Sequence, residues 1–308
     1  MLQVENLTKS FNGKLAVDHI SFEVKHGEVF GFLGPNGAGK STTINMICSL
    51  LKPDSGSIRI NGFELNPDEP AMRKNLGVVP QDIALYQEIS AVQNLVFWGQ
   101  LYGLKGALLK DRIDAMLTLF GLKDRAKEKV KNYSGGMKRR LNMAAGMLHN
   151  PELLLLDEPT VGIDPQARHN ILDVVKQIAR EGTTVLYTTH YMEEAEELCD
   201  RLAIIDYGRI LASGTRESIT KIVGENRFLK INGIFTAEAA ERLPKEIPNL
   251  ALISLRDKEV VYSLPAHFGT GQFLEQLGKS GFVIENLSIK EPSLDSVFIK
   301  LTGRELRD

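Results

Sequence analysis

A glycine-rich stretch near the N-terminus, GFLGPNGAGKST at residues 31–42, carries side chains suited to binding phosphate. Four of its residues occupy the fixed positions of the spacing G-x-x-x-x-G-K-[ST]: Gly34, Gly39, Lys40 and Ser41. Glycines let the backbone wrap closely around an anion, because no Cβ blocks positive φ angles. Backbone N–H groups and a helix N-terminus would face the phosphates, while Lys40 reaches the β- and γ-phosphates and Ser41 binds Mg²⁺. The alternative interpretation is a plain glycine turn.

The segments on either side of this stretch favour the phosphate-binding interpretation. EVFGFL, residues 28–33, is a short apolar run typical of a buried strand. Ile44, Ile47 and Leu51 follow at helical spacing. A strand, a glycine loop and a helix in this order are the context that the motif requires.

A second candidate for chemistry is the acidic pair that ends the run LLLLDE, residues 153–158. The run is too apolar for alternation and predicts a strand buried on both faces. Asp157 could hold Mg²⁺ directly or through water, and Glu158 could orient or deprotonate an attacking water. Taken alone, the pair could also be two ordinary acids at a strand end.

The stretch YSGGMKRRL, residues 133–141, offers a second helix N-terminus suited to an anion. Ser134 lies where an N-cap residue belongs, Gly135 and Gly136 follow it, and a helix begins. An ordinary capped helix start would explain this stretch by itself. One phosphate tail, however, does not need two such sites in one chain.

Taken in order, these stretches resemble the motifs of the ATP-binding subunits of ABC transporters. GPNGAGKST resembles the Walker A loop, LLLLDE the Walker B strand, and YSGGMKRRL the family signature, usually written L-S-G-G-Q. Four single residues also match the family: Phe11 matches the aromatic that stacks on adenine, Gln81 the Q-loop, Asp164 the D-loop and His190 the switch histidine. The resemblance covers residues 1 to about 215. It implies an α/β P-loop NTPase fold with a RecA-like core, an antiparallel β subdomain and a helical subdomain.

From the resemblance we expect ATP as the nucleotide and Mg²⁺ as its ion. The expected ligands of Mg²⁺ are Ser41, Gln81 and Asp157. The expected contacts with ATP come from all the motifs: Phe11, Gly34, Pro35, Asn36, Gly37, Ala38, Gly39, Lys40, Ser41, Thr42, Gln81, Ser134, Gly135, Gly136 and Asp164. Phe11 on its own would be assigned to the core. Its place upstream of the Walker A loop favours stacking on adenine, worth roughly 1–3 kcal/mol by analogy with base stacking.

The resemblance further implies that ATP lies between two subunits arranged head to tail, in a homodimer or with a paired ATPase subunit. One subunit would offer the Walker A loop, and the other Ser134 and the helix amides after it. The expected catalytic residues are Lys40, Glu158 and His190. Lys40 would stabilise charge on the phosphoryl group, Glu158 would act on the water, and His190 would contact the γ-phosphate. A lone histidine after a strand is otherwise more often a surface or core residue.

The signature departs from the family pattern at two positions. Tyr133 stands where leucine is usual, and Met137 where glutamine is common. Ser134, Gly135 and Gly136, which would contact phosphate, are retained. We therefore expect an effect on fine tuning rather than on catalytic competence.

Composition limits the class of protein. The chain has 308 residues, 43% of them hydrophobic and 25% charged, which is usual for a soluble protein. A formal net charge of −2 predicts no general attraction to nucleic acid. The sequence has no apolar stretch near the ~20 residues that span a bilayer, and its N-terminus lacks a secretory signal. We therefore expect a cytoplasmic protein, peripheral on the cytoplasmic face of the cell membrane, in which Cys48 and Cys199 form no disulfide.

The pattern of strands and helices divides the chain into two expected domains. Residues 1–221 would form the ATP-binding domain, with a helical insert at about 82–150. Residues 222–308 follow the order strand, helix, strand, strand, helix, strand, which indicates a small α+β domain with a ferredoxin-like fold as the candidate. Its tail, EPSLDSVFIKLTGRELRD, resembles that of a prokaryotic exporter branch linked with multidrug or antibiotic efflux. We expect this domain to support a dimer rather than to regulate it.

Without a membrane span, this chain would need a membrane-spanning permease subunit to move a solute. The expected function is ATP hydrolysis that powers export through such a subunit by ATP-driven closure of the dimer. SAVQNLVFWGQLYG, residues 90–103, is a candidate docking surface, because its apolar side chains would spread around most of a helix. A helix buried on several sides is the other interpretation.

Two other function classes remain open. A soluble ABC protein of DNA repair would carry a long coiled coil, and one of translation usually carries two cassettes; this sequence has neither. The second class is a soluble ABC scaffold for cofactor assembly, and only the resemblance of the C-terminal tail to an exporter branch argues against it.

Overall fold

The computed structural model describes residues 1–66, 74–222, 224, 226–265, 270–290 and 293–303. They belong to two compact units, Met1–Ser213 and Gly214–Asp308. Over the described ranges, neither unit contains a helix long and apolar enough to cross a bilayer.

The first sheet of the larger unit is antiparallel and has the strand order β2-β1-β4-β5. Its strands are β1 (Leu2–Phe11), β2 (Lys14–Val24), β4 (Ser55–Ile60) and β5 (Phe63–Glu64). Alternation along β2 buries Ile20, Phe22 and Val24 on one face of the sheet. These side chains share one buried cluster with strand β3 (Val29–Leu33) and helix α1 (Lys40–Ile47), so the cluster fixes the sheet against the start of α1.

The second sheet has six strands in the order β10-β9-β3-β8-β7-β6. Its further strands are β6 (Leu76–Val79), β7 (Leu153–Asp157), β8 (Thr184–Thr189), β9 (Arg201–Asp206) and β10 (Arg209–Gly214). The pairs β6–β7, β7–β8, β8–β3 and β3–β9 are parallel. Because the carboxyl ends of parallel strands meet at one edge of a sheet, the segments that follow β3, β7 and β8 come together there. The α/β architecture expected above is confirmed.

Three helices occupy the stretch between β6 and β7. They are α2 (Ala91–Leu101), α3 (Gly106–Leu119) and α4 (Gly135–Met147), with short 3₁₀ turns at Lys123–Arg125 and Val130–Asn132. One buried cluster joins them to β7, β8, α5 (Pro165–Arg180) and α6 (Met192–Leu198). This core holds α4, which begins with the SGG sequence, against the six-stranded sheet.

The smaller unit is built on a four-stranded antiparallel sheet with the order β12-β13-β11-β14. Its elements are α7 (Arg216–Thr220), β11 (Asn226–Ile234), α8 (Ala237–Glu246), β12 (Ala251–Arg256), β13 (Glu259–Pro265), α9 (Thr270–Lys279), β14 (Val283–Lys290) and α10 (Leu294–Thr302). From β11 to β14 the order is βαββαβ, that of a split βαβ domain. The unit begins before the boundary predicted after residue 221, because α7 packs against α10. Residues 291–292 and 304–308 of the predicted tail motif lie outside the described residues.

Candidate active site

Two glycines of the loop between β3 and α1 lie where no side chain fits. A Cβ on Gly34 would lie 2.2 Å from the carbonyl oxygen of Ile205, and one on Gly39, whose φ is 109°, would lie 2.5 Å from that of Ala16. The loop backbone is therefore packed closely against β9 and β2. Helix α1 begins at Lys40, directly after this loop. The first N–H groups of a helix have no partner within it and can bind an anion.

A cavity of about 200 Å³ lies at the start of α1. The residues that line it are Ala16, Asn36, Gly37, Gly39, Lys40, Ser41, Thr42, Gln81 and Glu158. All except Ala16 were predicted from the motifs, although Gln81 and Glu158 are distant from the loop in sequence. Ala16 lies within β2 and carries no polar group, so no sequence pattern pointed to it.

Lys40 and Glu158 form a buried ion pair in the wall of this cavity. Nζ of Lys40 lies 2.9 Å from Oε1 of Glu158, and each side chain is 4% exposed. The same ammonium group donates hydrogen bonds to the carbonyl oxygens of Gly34, at 2.6 Å, and Pro35, at 3.0 Å. Oε2 of Glu158 lies 3.1 Å from Nδ1 of His190, which is also buried. The three residues predicted to be catalytic thus lie in one continuous set of contacts.

The partners of Glu158 set its charge. Burial by itself would raise the pKa of this carboxyl group, but hydrogen bonds from His190 and Lys40, together with their charges, outweigh burial and lower the pKa from 4.5 to about 2. Glu158 is therefore an anion at neutral pH. A carboxylate with so low a pKa is a weak base, so with both partners in place it is suited to accept a hydrogen bond from water and orient it.

Thr188 supports the acidic pair from the neighbouring strand, and sequence reasoning missed it. It lies beside Asp157 in the parallel register of β7 and β8. Its hydroxyl group donates to Oδ1 of Asp157 at 2.7 Å and accepts from the N–H of Glu158 at 3.0 Å. Glu158 has a φ of 45°, in the left-handed region that is unfavourable for a residue with a side chain. The sequence feature that could have identified Thr188 is a hydroxyl-bearing residue within β8, the buried strand that ends directly before His190.

Four of the predicted site features do not line the cavity: Phe11, the signature, the D-loop residue Asp164, and His190, which contacts Glu158 in the cavity wall. Phe11 is 48% exposed, and Nζ of Lys9 lies 5.9 Å from the centre of its ring. Ser134 of the signature lies at the start of α4, and the D-loop residue Asp164 lies at the start of α5. Within one chain, the cavity is therefore formed without Phe11, the signature or the D-loop.

The starts of α4 and α5 lie against each other. Oγ of Ser134 caps α4 by accepting a hydrogen bond of 3.3 Å from the N–H three residues later. Oδ1 of Asp164 caps α5 in the same way by accepting from the N–H of Ala167 at 2.9 Å. A Cβ on Gly136 would lie only 2.8 Å from Cβ of Ala167, so a glycine permits this close approach.

The two residues that depart from the L-S-G-G-Q pattern have structural contacts. Tyr133 is buried, and its hydroxyl group donates to the carbonyl oxygen of Arg125 at 2.8 Å. Met137 packs, partly buried, against the core cluster of the helices. Neither side chain lines the cavity.

Helix α4 is also tied to the segment that contains Gln81. Nη1 of Arg139 donates to the carbonyl oxygen of Pro80 at 3.1 Å, and Oδ1 of Asn142 accepts from the N–H of Ala84 at 3.0 Å. The side chains of Arg139 and Asn142 are buried. The backbone is thus attached to α4 on both sides of Gln81.

The oxygen-bearing side chains near the cavity suit a hard cation. Ser41 and Gln81 line the cavity, and Asp157 ends β7 next to Glu158. Hydroxyl, amide and carboxylate oxygens are the ligands that Mg²⁺ takes. In the part of the chain that the structure describes, no group of three or more His, Cys, Asp or Glu residues is placed to hold a metal ion.

An apolar groove of about 540 Å³ lies beside the Gln81 segment. Its lining includes Cys48, Leu50, Leu76, Val78, Pro80, Ala84, Trp98, Leu101, Tyr102, Asn142, Ala145 and Gly146. Helix α2 buries one face through Ala91 and Leu95, but Phe97 and Leu101 are 40% and 67% exposed. Burial of this helix on several sides, one of the two interpretations of its sequence, is therefore wrong.

Comparison with known proteins gives a consistent family. A family model described as ABC transporter matches residues 17–161. The linearmycin resistance ATP-binding protein LnrL of Bacillus subtilis (strain 168) is 42% identical over 311 residues, which cover 100% of both chains. The daunorubicin/doxorubicin resistance ATP-binding protein DrrA of Streptomyces peucetius is 37% identical over 100% of this chain and 94% of its own. The Nod factor export ATP-binding protein I of Rhizobium sp. (strain N33) is 38% identical, with 99% and 98% covered.

Solved structures agree over the larger part of the chain. The ATP-binding subunit of an ABC transporter superposes with a TM-score of 0.67 at 32% identity, over 73% of this chain and 93% of its own. A dimeric ATP-binding cassette in a post-hydrolysis state with bound ADP and Pi has a TM-score of 0.64 at 26% identity, over 70% and 98%.

Proposed function

The chain belongs to the ABC transporter family as an ATP-hydrolysing subunit, and on that premise we propose that it powers solute export through a separate membrane-spanning subunit. The observation that carries the proposal is the cavity at the start of α1, where Lys40, Ser41, Gln81 and Glu158 meet. The names of its full-length relatives refer to linearmycin or daunorubicin resistance and to Nod factor export. Because these solutes differ, the proposal is export without a named solute, and the membrane subunit would select it.

In this proposal the glycine loop and α1 hold ATP by its phosphates. Gly34 and Gly39 have no Cβ, so the loop packs closely against β9 and β2 at the start of α1, and Lys40 supplies a cation in the cavity wall. Ser41, Gln81 and Asp157 would hold Mg²⁺, and their oxygen atoms fit such an ion. When bound, Mg²⁺ neutralises charge on the phosphates.

Lys40 has two competing partners in the proposed reaction. Its ammonium group lies 2.9 Å from Glu158, and it would also be the cation nearest to the β- and γ-phosphates. When Lys40 turns to a phosphate, Oε1 of Glu158 is free to accept a hydrogen bond from the attacking water. The hydrogen bond between His190 and Oε2 keeps the carboxylate in its orientation meanwhile. Glu158 would then orient the water for attack, which is the contribution expected of a positioned acid–base group.

A second subunit would complete the site. Ser134, Gly135 and Gly136 lie outside the cavity of their own chain, at the start of a helix where Ser134 and Gly135 are exposed and Gly136 is buried. Such a helix end can bind the γ-phosphate of a nucleotide held by another subunit. A two-fold dimer would place each loop opposite the other chain's signature, and a dimeric cassette is among the structural neighbours. The dimer would therefore hold two nucleotides.

The apolar groove beside α2 is the proposed contact with the membrane subunit. Leu50 and Leu101 are 74% and 67% exposed there, which is unusual for large apolar side chains lining one groove. Pro80, directly before Gln81, also lines it. A partner in the groove would therefore touch the segment that reaches the nucleotide cavity. Such a partner would keep the chain on the cytoplasmic face of the membrane.

The nucleotide part of the proposal is tested by equilibrium titration with ATP and Mg²⁺. Lys40→Ala should lose most binding, because the β- and γ-phosphates lose their nearest cation. Lys176→Ala, which changes a lysine on α5 that pairs with Glu197, should bind as the wild type does. Unchanged affinity in Lys40→Ala would refute the phosphate-binding loop.

The transport part is tested by co-purification from detergent-solubilised membranes. Leu101→Ser should reduce recovery of a multi-span protein, because it removes an exposed apolar side chain from the groove. Leu108→Ser is the matched control, since Leu108 on α3 is 56% exposed and does not line the groove. If both variants recover the membrane protein as the wild type does, the groove is not the contact. If the wild type recovers none, a soluble role is favoured.

A further inference from the structure

A buried carboxylate outside the cavity fixes the segment around His190. Glu194 on α6 is 2% exposed. Its Oε2 accepts hydrogen bonds from the hydroxyl groups of Tyr187, at 2.9 Å, and Thr189, at 2.7 Å. Thr189 in turn accepts from the N–H of Tyr191 at 2.9 Å. The carboxylate therefore holds the chain immediately before His190, and through Thr189 the chain after it.

Arg168 faces the other oxygen of this carboxylate. Nε of Arg168 lies 3.5 Å from Oε1 of Glu194, and its guanidinium carbon lies 4.3 Å from the centre of the Tyr191 ring. Both Nε and Oε1 are buried, and within the described ranges neither has a hydrogen-bond partner. The buried carboxylate is therefore balanced by charge rather than by a full set of hydrogen bonds. Loss of the cation would leave that charge poorly compensated.

The position of Arg168 connects His190 with the start of α5. Arg168 lies in the first turn of α5, and its N–H donates to the carbonyl oxygen of the cap residue Asp164 at 2.9 Å. The Tyr191 ring, which Arg168 covers, lies 4.2 Å from the His190 ring between centres. A continuous set of contacts thus runs from the cap of α5 through Arg168 to the histidine beside Glu158.

We propose that Glu194 and Arg168 are positioning residues that hold His190 against Glu158 and couple it to the first turn of α5. The inference rests on the proposed function, in which His190 acts during hydrolysis. Neither residue lines the nucleotide cavity. Weakening the pair therefore leaves ATP binding in place, while the turnover that depends on His190 falls.

Glu194→Gln is the main test. The amide oxygen can still accept from both hydroxyl groups, while its NH₂ group takes the place of Oε1 and offers Arg168 no attraction. We expect kcat for ATP hydrolysis to fall about tenfold, with KM changed by less than about twofold. Arg168→Gln should give a similar loss. The double variant should lose no more than either single variant, because the two side chains act as a unit.

Lys176 and Glu197 provide a matched control. They form an ion pair of 2.7 Å between the same two helices, α5 and α6, away from His190. Lys176→Gln removes this pair and should leave both kcat and KM unchanged. An equal fall of kcat in Lys176→Gln would mean that any weakening of the α5–α6 contact lowers turnover, and it would overturn the proposal.

An NMR readout separates positioning from general stability. In Glu194→Gln the ring signals of His190, assigned by comparison with His190→Ala, should shift, whereas those of His19 and His149 should not. Unchanged His190 signals, a wild-type kcat in Glu194→Gln, or losses that multiply in the double variant would each overturn the proposal. If the wild type hydrolyses no ATP, the proposed function fails, and the His190 signals still test the pair. If only Glu158→Gln loses hydrolysis, the proposed function stands and this inference fails.

Discussion

Replacing Glu158 by glutamine removes one negative charge and little else. Glutamine keeps the length of the side chain and an oxygen that can accept a hydrogen bond from Lys40 or His190. The environment favours the charged form strongly, since it lowers the pKa from 4.5 to about 2, which corresponds to about 3 kcal/mol. A positioned acid–base group accelerates a reaction by about 10²–10⁴-fold. We therefore expect kcat for ATP hydrolysis to fall by that factor.

ATP binding should survive the same substitution. Lys40 now faces a neutral amide in place of a carboxylate at 2.9 Å, so a phosphate no longer competes with a negative charge for the ammonium group. Affinity should therefore equal or exceed that of the wild type. Phosphate release gives kcat, and an equilibrium titration gives the Kd. Size-exclusion chromatography with light scattering should detect a dimer with ATP that disperses when the nucleotide is removed.

Glu152→Gln is the matched control for this experiment. Glu152 immediately precedes β7 and accepts a hydrogen bond of 2.7 Å from Asn61 at the surface, so its neutralisation should not change kcat. A wild-type rate in Glu158→Gln would exclude Glu158 from catalysis. A Glu158→Gln protein that binds ATP, fails to hydrolyse it and stays monomeric at high concentration would instead count against self-pairing. It would point to a different ATPase subunit as the partner.

Three further changes test other parts of the site. Thr188→Val leaves two buried partners of its hydroxyl group without a hydrogen bond. Urea unfolding should therefore show that the free energy of unfolding falls by about 1–3 kcal/mol, and ATP hydrolysis should be slower. Thr184→Val, at the other end of β8, should lower stability without changing kcat. Gly34→Ala should lower the free energy of unfolding by about 1–3 kcal/mol through overpacking. Gly135→Ala should not, because a Cβ at Gly135 meets open space. Because the folded-state pKa of Glu158 is lowered, its contribution is present above pH 4.5 and is lost as the pH falls towards 2. The stability difference between wild type and Glu158→Gln should therefore shrink between pH 5 and pH 3 in denaturant titrations.

The parts of the site that a local pattern encodes could be predicted from the sequence. The loop around Lys40 is recognisable because phosphate binding requires fixed spacing within one short segment. The contact of Lys40 with Glu158 follows from topology, because both residues come after parallel strands of one sheet. Gln81 was found through the resemblance to a family, because a single glutamine carries no pattern of its own.

The residues that were missed act through contacts between distant segments. Thr188 and Glu194 each bond to groups on another element or across a turn, and such contacts depend on strand register and helix packing that one sequence does not display. Helix α10 is a different case. Leu294, Val297 and Phe298 recur at helical spacing and are buried, so the pattern was present, but the segment was interpreted only as a family tail.

Helix α4 has a mechanical consequence for the proposed dimer. Ser134 caps one end of it. One to two turns further on, Arg139 and Asn142 form hydrogen bonds with the backbone on both sides of Gln81. A helix is stiff over so short a distance, so α4 moves as a rigid body and does not bend. In the proposed dimer, a nucleotide that displaces Gln81 in one cavity would move α4 and with it Ser134, which would face the nucleotide of the opposite cavity. The two ATP molecules would then sense each other, and hydrolysis should rise with a Hill coefficient above that of independent sites.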